Sequence, residues 1–409
     1  MSTLKSKALA LHKENQGKIE LKSKVSVKTN EDLTMAYTPG VAEPCIEINK
    51  DYKKIYEYTS KGNWVAIVTN GTAVLGLGDI GAGAGLPVME GKAVLFKTFA
   101  GVDAFPICLN SKNIDEIVNA VKLMEPSFGG INLEDIKAPE CFKIEERLKK
   151  EMNIPVFHDD QHGTAIVVLS ALINSLKFVN KKIDEIKLVV NGAGSAGIAI
   201  TKLLISAGLK NVIMVDRAGI LCTGESWMND IQKDMAEITN KEKVTGSLVD
   251  ALKESDVFIG VSAPGALTKD MINVMNKDAI VFAMANPTPE ILPNEAHEAG
   301  ALIVGTGRSD FPNQVNNVLA FPGIFRGALD VQAKEINEEM KLAAAYAIAE
   351  LIPENEIRAD YVIVEAFDLR IAPKVAEYVA KAAIETGIAQ RTDITPEMVR
   401  EHTKKLLGI

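Results

Sequence analysis

Cysteine is scarce in this chain of 409 residues, which holds only Cys45, Cys108, Cys141 and Cys222. Because no two of them form a C-x-x-C pair, we expect neither a disulfide framework nor a zinc knuckle, and reduced thiols in the cytoplasm fit the pattern instead. Basic residues are also in the minority: 45 Lys and Arg against 54 Asp and Glu give a net charge of −9. This balance argues against nucleic acid or an anionic membrane as a partner.

Long apolar runs are missing as well. No window reaches the ~18 apolar residues that a membrane span needs. Residues 1–24 alternate lysines with leucines, where a signal peptide would have an uninterrupted apolar core. Repeats and low-complexity segments are absent too. What remains is an ordinary globular composition, 47% hydrophobic and 24% charged, and a length that predicts two domains.

Two acidic pairs stand out against this ordinary background. Asp159 and Asp160 follow a short apolar run and precede a predicted helix over residues 164–176, while Glu134 and Asp135 end a predicted strand. Carboxylates crowded at an element end are costly unless a cation lies close to them. All-oxygen ligands suit Mg²⁺ or Mn²⁺ rather than Zn²⁺. For any such pair taken alone, solvated turn residues are the commoner interpretation.

Strands and helices alternate through the first half of the chain, which predicts an α/β fold. We expect strands at residues 64–69 and 104–109, and helices at residues 113–124 and 143–152. Residues 76–81, GLGDIG, fit the pattern G-x-G-x-x-G. We reject them as a dinucleotide fingerprint, because no helix is expected after them: the Gly-Ala-rich stretch that follows ends in a proline. This loop is instead predicted to line a cleft between the domains.

A second G-x-G-x-x-G, residues 192–197, lies in the context that makes the motif specific. An apolar strand at residues 186–190 precedes it, a helix at residues 198–207 follows, and a further strand ends in Asp216. The first glycine allows the tight turn, the second admits the pyrophosphate, and the third lets helix and strand pack closely. The predicted dinucleotide contacts are Gly192, Ala193, Gly194, Ser195, Ala196, Gly197, Asp216 and Arg217.

The residues at the end of that strand bear on which dinucleotide binds. Asp216 is placed to accept a hydrogen bond from the ribose 2′-hydroxyl of NAD, and its charge would repel the 2′-phosphate of NADP. Arg217 follows directly, and a guanidinium can hold a phosphate in a bidentate contact. We therefore expect NAD to be preferred and NADP to be accepted.

Eight segments taken together resemble the malic enzymes in their short bacterial form, and they cover most of the chain from Tyr37 to Asn317. In chain order they are YTPGVAEPC, VLGLGDIG, VMEGKAVLF, NLEDI, FHDDQHGTA, VVNGAGSAG, FAMANPTPE and GRSDFPNQVNNVLAFPG.

The resemblance implies a two-domain α/β fold. An N-terminal α/β domain over residues 1–161 would carry the substrate, acid–base and metal groups. Residues 162–372 would form a Rossmann-type domain with a doubly wound parallel sheet, and residues 373–409 would be C-terminal helices that pack back on the first domain. A homodimer in the cytoplasm is implied as well.

The implied activity is metal-dependent, NAD(P)-linked oxidative decarboxylation of L-malate to pyruvate and CO₂. Glu134, Asp135 and Asp160 match the ligands of Mg²⁺ or Mn²⁺. Lys92, which taken alone would be a snorkelling surface lysine, matches the base that takes the C2 hydroxyl proton, and it also contacts substrate. Asp159 matches the acid paired with it.

Further roles follow from the same resemblance. Tyr37, taken alone a packing residue, matches the general acid that protonates the enol carbon after CO₂ has left. Asn286 and Asn317 match groups that hold the substrate. Longer members of the family carry an arginine where this chain has Ala73, so the carboxylate anchor is unassigned, and Arg308 is the substitute that we consider.

Two alternatives stay on the same scaffold, namely a malolactic enzyme and a metal-dependent oxaloacetate decarboxylase. A third alternative is a Rossmann protein that senses a dinucleotide without turnover. Production of NAD(P)H from malate separates the first two from a malic enzyme, and the third predicts tight binding without product.

Overall fold

Two sheets, each covered by helices on both faces, carry the α/β architecture. The computed structural model describes residues 3–74 and 76–409. Met1, Ser2 and Leu75, the last of these within VLGLGDIG, lie outside the described residues. The strands are β1 Trp64–Thr69, β2 Asp103–Cys108, β3 Gly130–Leu133, β4 Val156–His158, β5 Lys187–Asn191, β6 Asn211–Asp216, β7 Gly219–Ile220, β8 Val257–Gly260, β9 Ile280–Ala283 and β10 Ile303–Thr306.

The helices divide among the two sheets and the C-terminal region. They are α1 Leu4–Asn15, α2 Asn30–Ala36, α3 Ala42–Lys50, α4 Ile55–Tyr58, α5 Ala82–Ala100, α6 Ile114–Leu123, α7 Glu140–Glu151, α8 Thr164–Phe178, α9 Ser195–Ser206, α10 Asp230–Ile238, α11 Leu248–Leu252, α12 Lys269–Ile272, α13 Pro293–Glu298, α14 Phe321–Asp330, α15 Glu338–Ala349, α16 Ile371–Glu385 and α17 Pro396–Leu407.

The first sheet is parallel throughout, in the order β2-β1-β3-β4. Its central strand β1 is an almost continuous apolar run, as expected for a strand buried on both faces. Alternate residues serve different cores: Val65 and Ile67 pack on the side of α5, while Ala66 and Val68 pack on the side of α6 and α7. The sheet therefore has helices on both faces.

The second sheet has the order β10-β9-β8-β5-β6-β7 and is parallel except for the short β7. β5 is the point where the strand order reverses, since β6 lies on one side of it and β8 on the other. Ligands of doubly wound sheets bind at the carboxyl ends of strands at such a switch point. The predicted Rossmann-type sheet is confirmed, and the motif at residues 192–197 follows β5 directly.

One expectation about the first half is wrong. A helix does follow the GLGDIG loop: α5 begins at Ala82, directly after Gly81, and contains Pro87. Pro87 is the sixth residue of α5, past the first turn, so its missing N–H costs one intrahelical hydrogen bond. Burial of side chains such as Met89 and Phe96 outweighs the local preference against a helix. Lys92, which taken alone would be a snorkelling surface lysine, consequently lies inside this helix and is buried.

The C-terminal helices pack on both halves of the chain. The last helix, α17, lies beside α5: a side chain added at Gly101, just after α5, would lie 2.8 Å from Leu406. The guanidinium of Arg326 on α14 donates to Asn63 Oδ1 at 2.5 Å. The domain boundaries proposed at residues 161 and 372 stay predictions. Among the helices described, none has the length and apolar character to cross a membrane.

Candidate active site

Parallel pairing brings the two acidic pairs together. β3 and β4 are neighbours with Leu133 opposite His158, so the residues that follow each strand emerge at the same edge of the sheet. Carboxylate oxygens of Glu134, Asp135 and Asp160 all lie within 4.8 Å of one another. The backbone N–H of Asp135 donates to Asp160 Oδ2 at 2.8 Å. The predicted metal ligands therefore form one cluster.

Lys92 reaches this cluster from α5 and is almost completely buried. Its Nζ lies 2.8 Å from Glu134 Oε1 and 2.5 Å from Asp159 Oδ2, and 4.2 Å above the centre of the Phe321 ring. Asn317 donates its side-chain amide to the same Asp159 oxygen at 2.5 Å. Lys92 and Asn317 thus both contact the same oxygen of Asp159. All three residues are ones that we proposed for catalysis or substrate binding.

The charges of the cluster shift its pKa values strongly. Burial raises the pKa of Asp159 to about 7 and that of Asp160 to about 6, although the neighbouring lysine opposes both shifts. Burial alone would lower the pKa of Lys92, but the charges of Asp159 and Glu134 raise it above its usual range. These neighbouring charges therefore favour the protonated form of Lys92.

The residues present fit a divalent cation. Four carboxyl groups, those of Glu134, Asp135, Asp159 and Asp160, crowd around a single ammonium group, which leaves the negative charge in excess. Hard oxygen donors are the ligands that Mg²⁺ and Mn²⁺ prefer. A cation here would also oppose the charges that raise the pKa of Lys92, the direction in which a base needs to be shifted.

A cavity of about 1060 Å³ opens at the switch point of the second sheet. Gly192, Ala193 and Gly194 line it. Gly192 has φ +119°, which favours glycine, and a side chain at Gly194 would point into open space where a ligand could approach. A side chain at Gly197 would lie 1.8 Å from the Gly192 carbonyl oxygen, so the third glycine serves close packing as predicted.

Asp216 and Arg217 both line this cavity, whereas Ser195, Ala196 and Gly197 do not. Asp216 accepts hydrogen bonds from the Gln232 side chain at 2.6 Å and from the Arg217 backbone N–H at 2.6 Å. The Arg217 side chain is exposed. Gln232 was missed by the sequence reasoning; its local signal is a capping box with Asn229, which predicts a helix start and not a ligand contact.

Three residues considered for the site lie outside the acidic cluster. Tyr37 follows α2, is 67% exposed, and its side chain makes no hydrogen bond within the described residues. Asn286 is exposed beside Gly307, and the loop at Gly76 packs against its backbone, which places that loop between the domains as predicted. Arg308 is already held by Asp310 in a bidentate pair at 2.8 and 2.6 Å.

Comparison with known proteins shows the family to which this chain is similar. Residues 16–149 match the family model for the malic enzyme N-terminal domain, and residues 161–384 match that for the malic enzyme NAD binding domain. A bifunctional malic/malolactic enzyme of Bacillus subtilis (strain 168) is 63% identical over 99% of this chain and 98% of its own length. An NAD-dependent malic enzyme of Geobacillus stearothermophilus is 56% identical over 92% of this chain and 79% of its length. Other bacterial relatives are named as NADP-dependent.

Whole-chain structural similarity leads to the same family. The crystal structure of malic enzyme from Pyrococcus horikoshii Ot3 superposes with a TM-score of 0.95 and 49% identity, covering 99% of this chain and 96% of that one. Two family models in the expected order, a relative of nearly equal length and a shared two-domain fold leave one assignment: the chain belongs to the malic enzyme family, the decarboxylating malate oxidoreductases.

Proposed function

We propose that this chain catalyses the divalent-metal-dependent oxidative decarboxylation of L-malate to pyruvate and CO₂ with NAD⁺ as the preferred oxidant. The observation that carries the proposal is the shared contact of Lys92, Asp159 and Asn317 beside the carboxylates of the acidic cluster. Ala138 and Pro139, on the segment that leaves this cluster, line the dinucleotide cavity. Substrate and dinucleotide would therefore meet at one place.

The chain's own residues supply the proton transfers. Lys92 takes the proton from the C2 hydroxyl of malate, and Asp159, within hydrogen-bond reach at 2.5 Å, shares and relays it. The side-chain amide of Asn317 keeps the carboxylate of Asp159 oriented. Tyr37 gives a proton to C3 once CO₂ has left. Asp216 accepts hydrogen bonds from the Gln232 side chain and the Arg217 backbone N–H, which hold it at the wall of the cavity. There its carboxylate can accept a hydrogen bond from the ribose 2′-hydroxyl.

The two bound groups supply the chemistry that side chains lack. A divalent cation held by Glu134, Asp135 and Asp160 would polarise the C2 oxygen and stabilise the negative charge that develops as CO₂ departs. The dinucleotide would supply the hydride acceptor.

We also propose that the enzyme is a homodimer and that the N-terminal arm, residues 3–58, packs on the second copy. No residue of this arm is buried, and it exposes large apolar side chains such as Leu21, Met35 and Tyr37. Its first part, residues 3–28, carries seven lysines and two glutamates in a chain of net charge −9, so it suits the acidic surface of another copy. Such packing would let Tyr37 of one copy reach the acidic cluster of the other copy. A cytoplasmic location stays a prediction.

A malolactic reaction is the second candidate, because the Bacillus subtilis relative is named as a bifunctional malic/malolactic enzyme. The same metal and acid–base groups would serve it, with NADH returned to the product within one turnover. Membership of an enzyme family leaves the non-catalytic dinucleotide sensor without support. Oxaloacetate decarboxylation would be a partial reaction of the same site.

The deciding experiment is an assay of the purified chain with L-malate and Mn²⁺, run in parallel with NAD⁺ and NADP⁺. We expect NADH to accumulate in proportion to pyruvate. Lactate without net NADH would replace the proposal with the malolactic reaction, and no consumption of malate with either dinucleotide would contradict both. Light scattering of the same sample measures the mass, and a monomer at assay concentration would contradict the homodimer.

A further inference from the structure

Glu290 is a fully buried carboxylate near the carboxyl end of β9, and the proposed mechanism does not use it. It closes the segment FAMANPTPE. Its hydrogen-bond partners among residues 3–74 and 76–409 are two backbone amides and one hydroxyl, none of which is cationic. Because a buried charge without a cation is costly, this carboxylate needs those three donors. The positions of the donors identify the segments that Glu290 holds in place.

The two oxygens of Glu290 grip different strands. Oε1 accepts from the backbone N–H of Ser262 at 2.8 Å and from its hydroxyl at 3.2 Å, just beyond β8. Oε2 accepts from the backbone N–H of Ala285 at 3.0 Å, just beyond β9. Neighbouring strands of the second sheet are therefore tied together at the edge where ligands bind.

The first of these contacts leads to the dinucleotide. The hydroxyl of Ser262 also accepts from the side-chain amide of Asn191 at 2.9 Å, at the end of β5. A side chain at Gly192 would lie 2.5 Å from the Val261 carbonyl oxygen, so the end of β8 presses directly on the turn that opens the glycine motif. Asn191, Gly192 and Ser262 all line the cavity.

The second contact leads to the proposed substrate site. Ala285 immediately precedes Asn286, the residue proposed to hold malate, and the backbone of Asn286 packs against Gly76 of the first domain. Space is reserved for the carboxylate as well, because a side chain at Gly260 would lie 2.5 Å from Glu290. The buried carboxylate of Glu290 thus contacts residues next to the dinucleotide cavity and next to the proposed malate site.

We propose that Glu290 is a positioning residue that fixes the dinucleotide loop and the Asn286 turn relative to each other, and so aligns the hydride acceptor with C2 of malate. The inference rests on the proposed function. It predicts a selective defect: hydride transfer depends on the alignment, whereas metal-dependent decarboxylation of added oxaloacetate involves no hydride and does not.

The test is Glu290→Gln, a change of nearly equal volume. An amide has one acceptor oxygen and one donor group, so whichever way it turns, the N–H of either Ser262 or Ala285 loses its acceptor. We expect kcat for malate oxidation to fall about 100-fold, with a larger primary isotope effect from malate deuterated at C2. Mn²⁺-dependent decarboxylation of oxaloacetate should stay within about twofold of the unaltered enzyme.

Glu298→Gln is the matched control, because Glu298 is exposed on α13 and, among the described residues, pairs with Lys269 alone. Ser262→Ala is a milder second variant that keeps the test decisive if Glu290→Gln does not fold. It removes the hydroxyl between Glu290 and Asn191 and should raise the KM for the dinucleotide about 10-fold, again without affecting oxaloacetate decarboxylation.

The outcomes separate the inference from the function on which it rests. An unaltered enzyme that oxidises malate, together with variants that lose oxidation and keep decarboxylation, supports the inference. Variants that lose both reactions equally, or neither, overturn it and leave the proposed function standing. An unaltered enzyme that forms no NADH from malate overturns the proposed function and this inference with it.

Discussion

Asn317 donates its side-chain amide to Asp159 Oδ2 at 2.5 Å, although 158 positions separate the two residues in the chain. The same oxygen accepts from Lys92 on α5 at 2.5 Å. Asn317 comes from the half of the chain that carries the dinucleotide cavity, and Lys92 from the other half. Both domains therefore contact the carboxylate of Asp159. A change in the relative position of the domains would change the contact between Asp159 and the proposed base, Lys92.

The metal assignment predicts that Asp160→Ala abolishes Mn²⁺-dependent turnover. Asp160 is one of three carboxylates within 4.8 Å of one another, and removing one oxygen ligand weakens a hard-cation site strongly. The dinucleotide cavity does not include this residue, so binding of NAD⁺, followed by fluorescence, should be unchanged. A variant with normal activity in Mn²⁺ would show that the assignment is wrong.

Lys92→Ala should stop malate oxidation, with a loss of at least about 100-fold in kcat, because no other amine reaches Asp159 among the described residues. Lys97→Ala is the control, since Lys97 lies on the same helix but is exposed and pairs with Asp103. Both rates are measured as NADH formed from malate. Comparable activity of the two variants would remove Lys92 from the role of base.

Tyr37→Phe should damage pyruvate formation more than the reduction of oxaloacetate, because only the former needs a proton at C3. The exposed position of Tyr37 adds a second measurement. Mixing Tyr37→Phe with Lys92→Ala and allowing subunits to exchange should restore about a quarter of the activity if the arm serves the second copy. Equal loss in both reactions by Tyr37→Phe alone would contradict the acid role.

Gly163→Ala is predicted to reduce activity by displacing Asp159, without direct contact with the substrate or the dinucleotide. A methyl group at this position would lie 1.9 Å from Asp159 Oδ1, so the carboxylate must move away from its contacts. We expect kcat to fall by about 10- to 100-fold and stability by about 1–3 kcal/mol. Gly91→Ala is the control, because among the described residues its added methyl meets just the tip of Lys18, at 3.4 Å. Unchanged kcat would mean that the position of Asp159 is not critical.

The acidic cluster could be predicted from sequence because strand ends in a parallel sheet meet at one edge, and both acidic pairs follow strands directly. The glycine motif at residues 192–197 was predictable for the same kind of reason. The contact of Asn317 with Asp159 was not, because no local pattern encodes an approach across 158 positions.

Local rules also misled where tertiary burial decides. Pro87 indicated the absence of a helix, yet α5 contains it and buries one face against the first sheet. Arg308 was considered as a carboxylate anchor, but Asp310, only two positions away, holds its guanidinium. The anchor that replaces the arginine absent at Ala73 therefore stays unassigned.

The choice of dinucleotide is the last prediction, and it depends on Asp216. Its carboxylate is held at the cavity wall by Gln232 and by the backbone of Arg217, so it cannot easily turn away from a ribose. A 2′-phosphate there would meet like charge at a cost on the order of a few kcal/mol if unscreened. Among the described residues that line the cavity, Arg217 is the one cationic side chain, and its exposed guanidinium can offset this cost through a bidentate contact.

We therefore expect kcat/KM to be higher with NAD⁺ than with NADP⁺ by about 10-fold or more, since each 1.4 kcal/mol of repulsion corresponds to a factor of ten. Asp216→Ala should narrow this ratio by removing the repulsion, and Arg217→Ala should widen it by removing the phosphate contact. For each variant, the ratio of kcat/KM with NAD⁺ to kcat/KM with NADP⁺ is measured at saturating malate and Mn²⁺ and compared with that of the unaltered enzyme. A clear advantage of NADP⁺ in the unaltered enzyme would mean that Arg217, and not Asp216, sets the preference, because the attraction of the guanidinium would then exceed the repulsion from the carboxylate.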